Sequence, residues 1–197
     1  MNTFFFFFVK YTDLDDVLKA GLAHLWFVTI HPFDDGNGRI TRTLTDLALA
    51  QMDEQSIRLY AMSTAILNKR KSYYEILEHT QKNDSDITDW LVWFLDTLND
   101  SLEKTLAQIS RTLFKSQFWH KYSNLALSEE QRKVLNRLLD GGENGFEHGI
   151  SASQYQKVAK ISKATATRHL SDLLEKECIV KLEGGGRNTR YQINTQL

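Results

Sequence analysis

The sequence predicts a mainly α protein, a helical core followed by a winged helix-turn-helix domain with a small β-hairpin wing. Three observations carry this expectation. Apolar residues recur at helical spacing on both sides of the polar turn "HPFDDGNGR". A second group of helix patterns starts near Ser128 with its own cap and apolar stripe. Near its end the chain carries "CIVKLEGGGRNTRYQI", two strand candidates around a glycine-rich tip. A chain of 197 residues can bury a real core and hold two units. We divide it into a core over residues 1–115, a connector over 116–127 and a second domain over 128–197.

The elements follow in order. The opening "MNTFFFFFVK" lacks the preceding positive charge and small-residue cleavage site of a secretory signal. It reads as a strand or helix start packed on the core, or as the scar of a truncated coding sequence. A helix is predicted from Asp13 to Ile30, with Leu18, Leu22, Leu25 and Trp26 at helical spacing and His24 as a partly buried structural histidine. After Arg39, the positions Ile40, Leu44, Leu47 and Ala48 predict the next helix. Two more helices are separated by the polar "QKNDSD"; Ile87, Leu91, Phe94, Leu95 and Leu98 make the apolar face of the second, and Asp86 or Ser85 caps it. Ser116 to Asn124 reads as connector, pinned to one domain by Phe118 and Trp119.

In the second domain Ser128 is an N-cap with Gln131 at the capping-box position, and Val134, Leu135, Leu138 and Leu139 form the stripe. Gly141-Gly142 ends that helix. "SASQYQKVAKIS" and "KATATRHLSDLLEKE" are short helices, and the hairpin follows. Helix, helix-turn-helix, then hairpin resembles a winged helix. The helix from Lys163 is then the recognition helix, with Thr165, Thr167 and Arg168 outward, and Arg187, Asn188 and Arg190 on the wing face phosphates.

Chemistry concentrates in "TIHPFDDGNGRITRTLTDLALA". Asp35-Gly36 and Asn37-Gly38 are strong turn signals, which a plain inter-helix turn explains. Arg39 and Arg42 are not explained that way. They fall in the first turn of a helix, where a cation costs about 0.3–1 kcal/mol against the positive helix end. Three apart, they share a face and point to one place. An anion between them resolves the conflict. Gly36, Asn37 and Gly38 permit positive φ and an inward-facing nest of N–H groups, and nest, helix start and guanidinium forks together describe a phosphate site. Asp35 adds a hard oxygen ligand suited to magnesium. His31 supplies a base at neutral pH. No Lys-Ser or Lys-Thr follows the glycines, so a Walker-type loop does not fit.

"HPFDDGNGRITR" resembles, position by position, the signature HPFx(D/E)GNGRxxR of the Fic family of nucleotide transferases. The resemblance implies transfer of AMP from ATP to a Ser, Thr or Tyr hydroxyl of a target protein, with Mg2+ assisting. It implies that His31 takes the hydroxyl proton, Asp35 holds the magnesium, and Gly36, Asn37 and Gly38 wrap the phosphates. Arg39 and Arg42 would neutralise the pyrophosphate side, Pro32 and Phe33 would be structural, and Phe33 would anchor the loop in the core. Asp34 falls at the variable position. Tyr73-Tyr74 match a family "YY" segment that helps hold the nucleotide, although aromatic pairs on a helix are more often core. Gln81 stands nearest to an asparagine that contacts the nucleotide in some relatives. Phosphorylating relatives tend to carry lysine where this chain has Gly38, which argues against that variant. Family members guard the site with a helix bearing (S/T)xxxE(G/N); Glu143-Asn144 and Glu183-Gly184 do not fit it. Only thirty residues precede His31, too few for that guard and the target-docking flap, so an N-terminally incomplete core is expected.

Composition narrows the classes further. A formal net charge of -1 implies no general polyanion binder. Residues 128–197 hold eleven Lys and Arg against nine Asp and Glu, leaving DNA and protein docking both open for the winged helix. One cysteine, Cys178, suits a reducing cytoplasmic setting as a buried thiol. No apolar run spans a bilayer, so no membrane partner is expected, and a homodimer stays among the options. The competing function is a winged-helix transcription regulator that keeps the nucleotide site as sensor or relic.

Overall fold

The computed structural model describes residues 14–52, 61–82, 86–141, 146, 148–183 and 189–196. The phenylalanine tract, Ser85, Glu143-Asn144, Arg187 and Asn188 lie outside the described residues. The chain divides into two compact units, Met1–Leu106 and Ala107–Leu197.

In the first unit the described elements are α1 (Asp16–Ile30), α2 (Asn37–Met52), α3 (Met62–Asn68), α4 (Arg70–Lys82) and the start of α5 (Thr88–Lys121). Asp15 caps α1, its Oδ1 accepting from the amides of Val17 at 2.9 Å and Leu18 at 3.3 Å. The expected start at Asp13 lies outside the described residues. The buried face of α1 differs from the expected stripe, because Ala20, Gly21, Ala23, His24, Leu25 and Phe27 face inward while Trp26 is exposed. Small residues at this face let α5 approach closely. A Cβ on Gly21 would lie 3.1 Å from Phe94, and Trp90 Nε1 donates to the Gly21 carbonyl at 2.9 Å. Trp90 and Phe94, with Leu25, Leu49, Met62, Tyr73, Leu77 and Leu98, form the core of this unit.

On α2 the inward positions are Asn37, Thr41, Thr45, Ala48 and Leu49, and Leu47 is half exposed. Thr41 and Thr45 tolerate burial because their hydroxyls donate to the carbonyls of Asn37 and Thr41, at 2.7 and 2.8 Å. Asp86, as expected, caps α5 by accepting from the Thr88 amide at 2.9 Å.

Residues 116–121 are a correction. They are the last turns of α5 rather than connector, and irregular chain starts only after Lys121. Phe118 is wholly buried in the second unit's core, 4.7 Å from the Tyr122 ring, and this apolar side chain rewards continued helix.

The second unit continues with α6 (Glu129–Asp140), β1 (Ile150–Ser151), α7 (Ala152–Ala159), α8 (Lys163–Glu175), β2 (Ile179–Lys181) and β3 (Arg190–Ile193). Ser128 and Gln131 form the expected capping box, and Ser151 with Gln154 repeats it on α7. Val134, Leu135, Leu138 and Leu139 all face the core. The sheet has three antiparallel strands in the order β1-β3-β2, with Ile150 opposite Tyr191 and Ile179 opposite Ile193. Strand β1 was not expected, since two residues are too short for an alternation to register. It depends on Gly149 at φ 74, where a Cβ would stand 2.7 Å from the Tyr191 carbonyl oxygen. Cys178 is buried, and burial pushes its thiol up to about 11.

Candidate functional site

The turn between α1 and α2 is built from its ends. His31 closes α1 in the left-handed conformation (φ 48), its amide donating to the Phe27 carbonyl at 3.1 Å. The imidazole is exposed, with Nδ1 3.4 Å from the Val28 carbonyl oxygen. A carbonyl only accepts, so this contact favours the proton on Nδ1 and leaves the Nε2 lone pair facing outward.

Phe33 does not anchor the loop in the core. It is 42% exposed and touches Phe27 with ring centroids 6.3 Å apart. Asn37, 2% exposed, does the anchoring instead. Its Oδ1 accepts from the Phe33 amide at 3.0 Å and its Nδ2 donates to the Phe33 carbonyl. The Asn37 side chain is therefore committed to the loop, and a ligand can meet only its backbone.

Of the two turn glycines only Gly36 takes positive φ (83); Gly38 already lies inside α2. The Gly36 carbonyl accepts from the amides of Arg39 and Ile40, both at 3.0 Å. The first amides of α2, on Asn37 and Gly38, remain as outward donors of the helix end. A Cβ on Gly36 would lie 3.6 Å from Arg39 Nη2, and one on Gly38 3.5 Å from Arg42 Nη1. Both guanidinium groups thus fold back over the first turn. Asp35 pairs with Arg39 (3.3 Å), and both are exposed.

Behind this turn lies a cavity of about 440 Å3 lined by Arg42, Ser63, Thr64, Ile66, Leu67, Arg70, Tyr73 and Tyr74. The structure therefore brings Arg42 together with both tyrosines, while His31, Asp35, Gly36, Asn37, Gly38 and Arg39 stand outside that lining. The tyrosines divide their roles. Tyr73 is 5% exposed and belongs to the core, whereas Tyr74 is 56% exposed with Arg70 5.8 Å from its ring centroid. Burial pushes the Tyr73 phenol up to about 12, against the pull of the Arg42 charge. Gln81 is tied to α1, donating to Thr29 Oγ1 at 3.0 Å.

Sequence reasoning missed Ser63, Thr64 and Arg70. The spacing of Arg70 to Tyr74, one helical turn, was a readable signal; Ser63 and Thr64 carried none. Among the described residues no group of three or more His, Cys, Asp or Glu could hold a metal, and no helix is long and apolar enough to cross a membrane.

Comparison with known proteins centres on this turn. Residues 3–49 match the Fic/DOC family model. That segment contains the whole run from His31 to Arg42. A solved Fic family protein from Desulfovibrio desulfuricans G20 is similar at a TM-score of 0.46 and 20% identity, over 93% of this chain and 51% of that one. The present chain spans about half the length of that protein.

In the second unit the sequence-predicted contacts separate. Thr167 and Arg168 are exposed on α8, and Thr165 is half-buried with its amide bonded to the Ser162 cap at 3.2 Å. Arg190 is half-buried, and its Nη1 donates to the Gly149 carbonyl at 2.8 Å, which ties one edge of the guanidinium to the glycine before β1.

Proposed function

We propose that the chain is a nucleotidyltransferase of the Fic type, transferring AMP from ATP to a Ser, Thr or Tyr hydroxyl of a target protein. The carrying observation is the cavity that unites Arg42 with Tyr73 and Tyr74 beside the turn bearing the Fic signature. Its two arginines and the hydroxyls of Ser63 and Thr64 suit a polyanionic ligand, and the exposed Tyr74 ring, backed by Tyr73, suits a flat base. The target oxygen attacks the α-phosphorus, the bond to the α–β bridging oxygen breaks, and pyrophosphate leaves. His31 Nε2 takes the hydroxyl proton. Arg39, Arg42 and the amides of Asn37 and Gly38 offset the phosphate charge.

Magnesium fits the donors present. Asp35 is an exposed carboxylate, and Mg2+ is commonly held by one or two carboxylates with waters and phosphate oxygens completing its shell. Asp35 would hold the ion, which supplies charge neutralisation at the phosphates. Arg39 must then release Asp35, an inexpensive exchange at an exposed pair. A lone, buried Cys178 suits a reducing cytoplasm.

Incubation with α-labelled ATP, magnesium and cell lysate tests the reading. His31→Ala should lower labelling by about 10²–10⁴-fold and leave ATP affinity nearly unchanged. Labelling by His31→Ala at the wild-type rate would falsify the assignment.

A second reading, a DNA-binding regulator with a sensing site, draws support from Thr167 and Arg168 exposed on the helix that would enter the groove. It requires an affinity that falls steeply with salt and a smaller salt slope in Arg168→Ala. No shift of random or genomic DNA at low salt moves the second unit to protein docking.

A further inference from the structure

Behind the cavity, three side chains from three helices form one hydrogen-bonded chain. His24 (α1), Thr45 (α2) and Tyr73 (α4) are all buried, at 0%, 1% and 5% exposure. The Thr45 hydroxyl spends its single proton on the Thr41 carbonyl at 2.8 Å. Thr45 Oγ1 can then only accept from His24 Nδ1, 2.8 Å away. With the imidazole hydrogen on Nδ1, Nε2 holds the lone pair, and the Tyr73 hydroxyl donates to it at 3.0 Å. A carbonyl that can only accept thus sets the direction of the whole chain from Tyr73 through His24 and Thr45 to Thr41. The direction requires a neutral imidazole. Burial, aided by the Arg42 charge, holds His24 down at about 3.

Each linked helix carries part of the proposed site. His31 caps the end of α1, the first turns of α2 carry Arg39 and Arg42, and α4 presents Tyr73 and Tyr74 to the cavity. Of the two polar links from α4 to α1 named here, the Gln81–Thr29 bond is exposed and the Tyr73–His24 bond is buried. Water competes with the first and not with the second. We propose that His24 is a positioning residue for the nucleotide site, fixing Tyr73 and the α4 wall of the cavity relative to Arg42. The inference rests on the nucleotidyltransferase reading.

Two near-isosteric variants separate positioning from bulk stability. In His24→Asn the side-chain amide nitrogen reaches the Nδ1 place and keeps the Thr45 bond, and the Tyr73 bond is lost. In His24→Gln the amide carbonyl reaches the Nε2 place and keeps the Tyr73 bond, and the Thr45 bond is lost. Each loses one buried hydrogen bond. Mg-ATP affinity is measured by calorimetry below the melting transition of every variant. His24→Asn and Tyr73→Phe should each weaken binding by about tenfold, the equivalent of one hydrogen bond. His24→Gln should stay within about threefold of wild type, and the Asn/Phe double variant should be no weaker than either single. Equal loss in Asn and Gln, no loss in either, or additive losses in the double variant would overturn the positioning role. Wild-type protein that binds no Mg-ATP would overturn it together with the functional reading. Imidazole 15N spectra separate the relay from both: His24 should show the Nδ1-protonated tautomer, and an Nε2-protonated ring would refute the chain itself.

Discussion

The two units fill their interiors differently. The first buries His24, Asn37, Thr41, Thr45, Thr80, Thr97 and Ser101 among its apolar residues, and Thr97 Oγ1 has no partner among the described residues. Among the described residues of the second, Gln131 is the one such side chain, and it serves a helix cap and a bond to Asp172. Its core is otherwise Phe118, Leu135, Ile150, Tyr155, Leu173 and their neighbours. Buried polar groups contribute little net stability but fix geometry, because a misplaced donor loses its partner outright. In the first unit His24 joins Thr45 to Tyr73, and Asn37 holds the Phe33 backbone in the turn before α2. Among the described residues the first unit's interior carries polar links between helices, and the second unit's interior is nearly all apolar.

Removing a large side chain from the apolar interior gives the largest stability change expected to be confined to one unit. Phe118→Ala should cost about 3–5 kcal/mol, the usual range for a buried aromatic. Hydrogen exchange should then speed up over 129–140 and 150–175 while 16–30 keeps its protection, since the two core clusters are separate. Equal loss in both segments would mean that the two interiors unfold as one and that the contrast has no energetic meaning.

Acid should reverse the asymmetry. The folded pKa of His24 lies near 3, below its unfolded value, so the unfolded chain binds the extra proton first. The stabilising contribution is complete above about pH 6.5 and falls by roughly 1.4 kcal/mol per pH unit on the way down. In the second unit Glu130 and Asp172 are held below their ordinary values by hydrogen bonds, from Ser128 to Glu130 and from Lys176 and Gln131 to Asp172. Their contribution is lost only below the ordinary carboxylate range, near pH 4. Between pH 6.5 and 4.5 protection over 16–30 should therefore fall faster than over 129–140. Parallel loss would show that the buried histidine is not setting the acid response.

Much of this was readable beforehand where the signal is local. Ser128 with Gln131, Asp86 before α5 and the stripe through Leu139 follow from a few neighbouring residues, and all are present. The turn from His31 to Arg42 could be recognised for the same reason. The threonine seam of α2 could not, because an apolar-period reading sends Thr41 and Thr45 outward. They turn inward only because each satisfies its hydroxyl on its own helix and Thr45 meets a histidine from another. Gly36 and Gly38 looked equivalent as turn residues, yet the helix begins between them. The cavity was legible in part. Arg42 and the tyrosine pair were marked, and Ser63 and Thr64 arrive through tertiary packing that no short window contains.

The smallest effect concerns how the second unit starts. Ser128 accepts from the Gln131 amide at 3.2 Å, and Gln131 Oε1 accepts from the Ser128 amide at 2.9 Å. Gln131 also donates to Asp172 at 2.6 Å, which ties the first turn of α6 to α8. Ser128→Ala deletes the first of these bonds and the exposed Ser128–Glu130 hydrogen bond, and the Gln131 side chain keeps the other two. The cost should therefore be about 1 kcal/mol, a typical cap loss, seen as a shift in the denaturant midpoint of the second unit with the slope unchanged. Gln131→Ala removes the reciprocal bond and the Asp172 tie together and should cost more than Ser128→Ala. Because Asp172 still holds Lys176 at 2.7 Å, its carboxylate does not become unpaired. If the two variants cost the same, the cap is the whole contribution of Gln131, and this buried side chain links nothing beyond its own helix.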